Sequence, residues 1–563
     1  MAKGGQLQQS LPGTPPKNFA RFLLFGHPAC KILPRKCYLT VNLPSPCYDP
    51  PFSPCFYLAM TDWNVTLWLA CYVAVFAGLS VFGAHRLRIL WLYARHRKQE
   101  PVPLKKFEEL PVVTVQLPLY NEMHVVERLL EAVSKLDYPQ DKLQIQILDD
   151  STDETVTVCE EGAEKLRQRG FDVEYRHRSD RTGFKAGALE AATPTAKGDF
   201  LLIFDADFVP QPELLQKLIH HFTDEKVGMV QARWGHINQH ESLLTRLQAM
   251  MLDGHLVLEQ AGRSRSGHFF NFNGTAGMWR KQCLQDAGGW EHDTLTEDMD
   301  LSYRAQMKGW RFVYLKDVVV PAELPPDMDG FKSQQHRWTK GSIQVCKKVL
   351  GKVWTSDEPL GIKLESTAHL GANFAYLLMF GVLVLVYPAN FMFENSWMKA
   401  VFLDLPIFFF ATMSVVIFYL TAQGAQRPWG WLRALPYLPL LLALGIGMSI
   451  NNGKAVLEAL FNQQSEFVRT PKYGQGAPVR RRSRYKAARS VTFWIEVALA
   501  AYFSWLVFAA LRKGQWISVP FLAMFQFGFL YVVIGSISKW FSFPSWTLPP
   551  SPPEEPTSDP AIA

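Results

Sequence analysis

Carboxylates stand at three places in this chain where they could do chemistry. "QIQILDD" ends in Asp149 and Asp150, and "LLIFDAD" ends in Asp205 and Asp207, each pair following a run too apolar to be a surface loop. Two acids flanking one residue at a strand end can share a hard divalent cation, leaving its other positions to water and diphosphate oxygens. The third set lies in "GGWEHDTLTEDMDLSYRAQMKGW", where Glu291, Asp293, Glu297, Asp298 and Asp300 crowd into a few turns. Acids this close repel one another, and a solvated helix face explains most such clusters unless a cation or a second acidic site is nearby. Further on, "FKSQQHRWTKGSIQVCKKVL" spaces Gln334, Arg337 and Trp338 at i, i+3 and i+4, which share one face of a helix. Arginine offers a planar fork of donors suited to diphosphate, and an indole is a flat platform for a sugar ring. An amphipathic helix at a bilayer interface would use the same residue types.

These residues need elements to hold them. From Pro111 a short apolar run, "VVTVQLPLYNE", leads into the helix-like "HVVERLLEAVSKL" and the strand-like "LQIQILDDST". The alternation continues through "FDVEYRHR" and "KAGALEAAT" to "DFLLIFDADF". Strands alternating with amphipathic helices predict a mostly parallel sheet covered on both sides, with ligands at the carboxyl ends of its strands.

Around this block the chain is apolar. Of 563 residues 48% are hydrophobic and 19% charged, and the excess is concentrated in segments. Residues 65–84, "VTLWLACYVAVFAGLSVFGA", carry no charge over a length that crosses a ~30 Å hydrocarbon core. The basic "HRLRILWLYARHRK" that follows places the next block in the cytoplasm. Apolar segments return at 367–388, 402–422, 434–449, 491–511 and 517–537. Because "RRRSRYKAAR" at 480–489 should also be cytoplasmic, either the segment 434–449 is re-entrant or interfacial, continuing into "NNGKAVLEALF", or one further span restores the parity. The net charge of +7 then reflects topology and anionic lipid, with no nucleic acid implied. Residues 1–59 hold Cys30, Cys37, Cys47 and Cys55 in a proline-rich run without zinc-like spacing or a signal-peptide pattern. They read as a dispensable tail, with Met60 an alternative start. Cys71, Cys159, Cys283 and Cys346 are scattered, as reduced thiols or small core residues are.

Taken in order, "LPLYNE", "LDDSTD", "GFKAGAL", "FDADF", "QARW", "FNFNGTAGMWR", "TEDMDLSYRAQMKGW" and "QQHRW" resemble the motifs of a family 2 processive glycosyltransferase of the cellulose synthase superfamily. The phrasing is closest to the cellulose synthase-like A and C branches, which make mannan or glucomannan and β-1,4-glucan backbones. A weaker match, "SEFVRTPKYG", resembles that family's gating loop through Phe467, Thr470 and Lys472, with Arg469 where the family has valine.

The resemblance implies an α/β GT-A-type, Rossmann-like cytosolic domain inserted among α-helical transmembrane spans. It assigns Tyr120, Glu122, Asp149, Asp150 and Lys185 to the nucleotide and its diphosphate, and Asp205 and Asp207 to Mg2+ or Mn2+. Gln334 and Arg337 would bind the donor, Trp338 would stack the acceptor sugar, and Gly274, Thr275 and Glu297 would border the acceptor. Asp298 would be the catalytic base of an inverting displacement. The implied partners are a nucleotide sugar (UDP-glucose or GDP-mannose), a growing β-glycan and the lipid bilayer of a plasma membrane or endomembrane.

The organisation that follows is a Pro/Cys-rich extension (1–64), a transmembrane helix (65–84), the transferase domain (105–330) and an interfacial helix with "QQHRW" (331–362). Transmembrane and interfacial helices (367–461), a gating-like loop and basic segment (462–490), two transmembrane helices (491–538) and a Pro-rich tail (539–563) complete it. Two other functions compete: a glycolipid synthase making a single transfer, and an inactive membrane scaffold. Several residues read as bystanders. Asp300 suits a helix N-terminus, His220, His221 and His240 suit a surface, and Glu496, inside a span, is either functional or snorkelling. The two Gly-Trp pairs at the ends of the acidic segment should pack it against the core.

Overall fold

The computed structural model describes residues 62–392, 408–464, 491–516 and 518–537. The N-terminal extension, the gating-like Phe467, Thr470 and Lys472, and the C-terminal tail lie outside the described residues.

Seven strands form one sheet: β1 Val113–Leu119, β2 Leu143–Asp149, β3 Asp172–His177, β4 Phe200–Ile203, β5 Val227–His236, β6 Gly277–Arg280 and β7 Arg311–Ala322. Their order is β3-β2-β1-β4-β6-β5-β7. The first four run parallel, with Val113 opposite both Leu143 and Phe200. β5 and β7 pair parallel as well, so the sheet is mostly parallel, as expected. Only β6 departs from it, running antiparallel to both β4 and β5. It has a consequence for the site: an antiparallel strand begins where its parallel neighbours end, so the loop before β6 arrives at the carboxyl end of β4.

Period-two alternation separates two cores. Val113, Val115, Leu117, Phe200 and Leu202 face one, while Leu201 and Ile203 face the other. The polar residues between the apolar ones in β1 and β2 are also buried, which costs free energy unless they pair. They do: Thr114 Oγ1 donates to Gln144 Oε1 at 2.8 Å and Gln116 Nε2 to Gln146 Oε1 at 2.9 Å.

Among the described residues, fourteen helices of eight or more residues frame the sheet and continue away from it. Flanking the early strands are α1 Asp62–His96, α2 Val126–Val133, α3 Thr155–Gln168 and α4 Phe184–Ala192. α5 Leu243–Asp253, α6 Glu297–Met307 and α7 Met328–Thr355 follow. Then come α8 Leu360–Leu370, α9 Ala375–Met392, α10 Ser414–Gly424, α11 Leu438–Gly447, α12 Ser449–Leu460, α13 Val491–Arg512 and α14 Val519–Ile537. Among the described residues, four stretches are long and apolar enough to cross a membrane: Thr66–His96, Gly430–Gly447, Val491–Arg512 and Val519–Ile537. A fifth is the pair Leu360–Leu370 and Ala372–Leu385, bent by 44°, while Phe409–Gly424 is shorter. α1 runs well past the expected residue 84, and its basic end is part of the domain's packing. Ile89, Leu92 and Tyr93 are buried in the second sheet core together with Phe418 and Ala422 of α10.

Glu496 of α13 is fully buried and takes the Lys332 ammonium at 2.7 Å on both oxygens, so it ties α13 to α7 and does not snorkel. His221 is also buried, against the surface expectation.

Candidate active site

Three strand ends and three helices converge on one cavity of about 310 Å³. Tyr120 and Glu122 follow β1, Asp150 follows β2, and Asp205 and Asp207 follow β4. Lys185 lies in the first turn of α4, Glu297 and Asp298 open α6, and Gln334, Arg337 and Trp338 lie along α7. All of these line the cavity, as does Gly274. Residues up to 218 positions apart in sequence, Tyr120 to Trp338, therefore share one wall.

Two expected site residues are not in that wall. Asp149 is fully buried behind it, accepting bonds from Ser151 N at 2.9 Å and Tyr175 Oη at 3.0 Å. Thr275 is likewise buried, and its hydroxyl accepts from Asp205 N at 2.8 Å. Thr275 thereby braces Asp205, which does reach the cavity. A strand ending in two successive acids sends their side chains to opposite sides, which is why Asp150 faces the cavity and Asp149 does not.

The backbone here is bent out of ordinary regions. Asn121, Phe184 and Ala276 have φ of 54°, 51° and 54°, and each adjoins a site segment. Left-handed conformations at non-glycine residues cost free energy and collect at functional sites. Gly274 has φ of 80°, and a Cβ there would fall 3.0 Å from Asp298 Oδ2. Glycine alone lets this loop approach the carboxylate so closely.

Charge is arranged in two layers. Arg178 holds Asp150 with two bonds, Nε to Oδ1 at 2.8 Å and Nη2 to Oδ2 at 2.6 Å. Arg181 lies over the Tyr120 ring, 3.2 Å from its centroid. Deeper in, Lys185 Nζ donates to Asp205 Oδ1 at 2.5 Å and to Gly274 O at 2.7 Å. Loss of solvent works to lower the Lys185 pKa, but Asp205 and Glu297 outweigh it and hold it above the ordinary value. Burial first and Glu297 second push Asp298 up to about 7, against the pull of Lys185. Glu297 is raised as well, mainly by burial. Two adjacent enclosed carboxylates with one ammonium between them and Asp205 make a site where a proton can be taken up near neutral pH.

The other three acids of the segment have a different fate. Lys348 Nζ lies 2.5, 2.7 and 3.1 Å from Glu291, Asp293 and Asp300, and Arg304 pairs with Asp300 at 2.8 Å. Their oxygens lie within 4.8 Å of one another, close enough for an ion, but the lysine supplies the cation. Trp290 and the partly buried Trp310 pack into the second sheet core, as the Gly-Trp pairs suggested.

Several residues that build the site had gone unnamed. Gln231, buried behind the cavity, carries the loop before β6: its amide donates to Thr275 O and Ala276 O, both at 3.0 Å, and accepts from Asn273 N at 3.0 Å. Trp234 donates to Thr275 O at 3.3 Å and its ring centroid is 6.4 Å from that of Trp338. Strand alternation was a usable signal, since Trp234 and His236 project to the same face at the end of β5. Arg178 and Arg181 had no such signal.

Asp205 and Asp207 fit a divalent cation by donor chemistry. Both line the cavity; Asp205 is partly exposed there and already attracts the Lys185 ammonium, while Asp207 is nearly buried and accepts from Glu323 N at 3.2 Å on one oxygen.

A family profile described as Glycosyltransferase like family 2 matches residues 111–341. Among known proteins, the chain is 34% identical over 395 residues to probable glucomannan 4-beta-mannosyltransferase 3 of Oryza sativa subsp. japonica, covering 68% of this chain and 69% of that one. To glucomannan 4-beta-mannosyltransferase 1 of the same plant it is 34% identical over 394 residues, covering 68% and 73%. Among solved structures, mannosyltransferase PcManGT from Pyrobaculum calidifontis in complex with GDP-Man and Mn2+ is similar at 19% identity and TM-score 0.48, over 71% of this chain and 99% of that one. Motifs, sheet and relatives agree: the chain belongs to glycosyltransferase family 2, in its cellulose synthase-like group, and its catalytic domain has a GT-A fold.

Proposed function

We propose that this protein is a membrane-embedded inverting glycosyltransferase that builds a β-1,4-linked glycan from a nucleotide sugar and passes it through its own spans. The observation that carries the reading is the gathering, in one cavity, of Asp298 with Asp205, Asp207, Arg337 and Trp338. The names of the rice relatives favour GDP-mannose as donor, with UDP-glucose the alternative.

In this reading the nucleotide lies along Tyr120, Glu122 and Asp150, and its diphosphate reaches Lys185, Gln334 and Arg337. Asp205 and Asp207 would hold Mg2+ or Mn2+, which when bound offsets negative charge on the diphosphate. The acceptor sugar stacks on Trp338, beside Gly274 and Glu297. Asp298 takes the proton from the acceptor 4-hydroxyl as that oxygen bonds to the anomeric carbon. The bond from that carbon to the diphosphate breaks on the opposite face, so an α-linked donor yields a β-linkage. Arg337 faces the charge that develops on the leaving group, and its charge already acts on Glu297. An acceptor that grows and stays bound needs a wall of flat rings, and Trp234 beside Trp338 supplies one. That favours a polymer over a single transfer to lipid.

Asp298→Asn tests the assignment. Binding of GDP and UDP should stay near that of the parent, while transfer falls by about 10²–10⁴, the usual worth of a general base. Substantial residual turnover would remove Asp298 from this role.

A further inference from the structure

β5 ends in Trp234-Gly235-His236, and both Trp234 and His236 line the cavity. The His236 side chain is only 6% exposed. Its Nε2 lies 3.2 Å from Oδ1 of Asp253, the last residue of α5, while its Nδ1 has no partner among the described residues. Nor is Nδ1 one of the unpartnered polar atoms sealed in the interior, so its small remaining exposure opens on the cavity. Asp253 is itself 7% exposed and uses its second oxygen to accept from Gln423 Nε2, on α10, at 2.7 Å.

A carboxylate at Nε2 selects the tautomer in which Nε2–H donates, which leaves Nδ1 with a lone pair. The pair is held rigidly from behind. A Cβ on Gly254 would fall 2.6 Å from Phe418 Cε1 and 2.9 Å from Tyr419 Cε1, so α10 packs directly on the turn that follows Asp253. A purely structural clamp between β5, α5 and α10 accounts for Nε2. It gives no role to the Nδ1 lone pair, which is left in the cavity wall without a partner among the described residues. The neighbours indicate what satisfies it. Trp234 stands edge-on to Phe208 at 5.5 Å and tilted against Trp338 at 6.4 Å, an aromatic wall suited to the apolar faces of a sugar. A saccharide on that wall presents hydroxyl donors at its edge.

We propose that His236, oriented by Asp253, reads the acceptor: Nδ1 accepts a hydrogen bond from a hydroxyl of the saccharide held against Trp234 and Trp338. The inference rests on the proposed saccharide acceptor, and its test separates the two.

The experiment measures binding of β-1,4-mannotetraose, cellotetraose, GDP and UDP to purified full-length protein in lipid nanodiscs, read by intrinsic tryptophan fluorescence. Parent, His236→Leu and His236→Gln are compared. His236→Leu should weaken tetrasaccharide binding by about five- to tenfold, the worth of one hydrogen bond, with nucleotide binding unchanged. His236→Gln, whose amide can donate to Asp253 and keep an oxygen toward the cavity, should stay within about twofold of the parent. Equal tetrasaccharide binding by parent and His236→Leu overturns the inference alone, as does an equal loss of nucleotide and saccharide binding, which marks a structural role. A parent protein that binds nucleotide and neither tetrasaccharide overturns the saccharide acceptor itself and the inference with it.

Discussion

Asp298 is a carboxylate kept protonated to higher pH than its type prefers, because burial and Glu297 push it up to about 7. Two outcomes follow at the residue scale. As the proposed base, Asp298 must be ionised to accept a proton, so kcat/KM should climb about tenfold per pH unit below about 7 and level off above it. The second concerns stability. The folded pKa lies above the unfolded one, so between the two the folded state binds more protons and stability falls as pH rises. Asn cannot ionise, so Asp298→Asn should melt at a higher temperature than the parent at pH 8, and the gap should close below about pH 4. A pH series of thermal melts checks this, and a variant that melts lower at pH 8 would show that Asp298 stabilises the fold as an anion. Most cavity residues were legible in the sequence because they end strands or share a helical face. Asp149 and Thr275 were misplaced in the wall because a motif does not say which of two neighbours turns inward. Arg178 and Arg181 lie in a loop after β3 whose course no periodicity encodes.

At the scale of elements, α6 and α7 are joined by charge. Lys348 of α7 neutralises Glu291, Asp293 and Asp300, and this fixes the first turn of α6, where Glu297 and Asp298 sit. Lys348→Met leaves three carboxylates with only Arg304 for company. The expected loss is about 1–2 kcal/mol of stability, with a larger fall in kcat than in donor affinity, because the base is displaced while the strand ends that would hold the nucleotide are untouched. Urea unfolding together with donor titration checks it, and unchanged kcat would show that α6 is positioned by packing alone. The strand-helix alternation of residues 111–208 was readable because parallel strands there are short apolar runs separated by amphipathic helices. β6 was not. Four residues, "GMWR", are too few for an alternation signal, and their antiparallel course depends on the bonds between β4, β5 and the loop before β6, which only the folded chain shows.

At the scale of the whole molecule, the domain and its apolar helices are not separate layers. α1 and α10 contribute to the sheet core, Lys332 of α7 is paired with the buried Glu496 of α13, and Gln423 of α10 braces Asp253. Hydropathy marked the apolar segments, since a span needs only length and lack of charge. It could not show that α1 continues into the domain, because its basic turns look like a flank and their buried residues, Ile89, Leu92 and Tyr93, are only three in number. The most direct measurement is incubation of the purified full-length protein in lipid with Mg2+ or Mn2+ and labelled GDP-mannose or UDP-glucose, followed by digestion of any polymer with β-1,4-mannanase or β-1,4-glucanase. The account predicts a labelled polymer, made by the parent and not by Asp298→Asn, that one of these enzymes degrades. Label recovered only in a singly glycosylated lipid, or polymer made equally by Asp298→Asn, would contradict it.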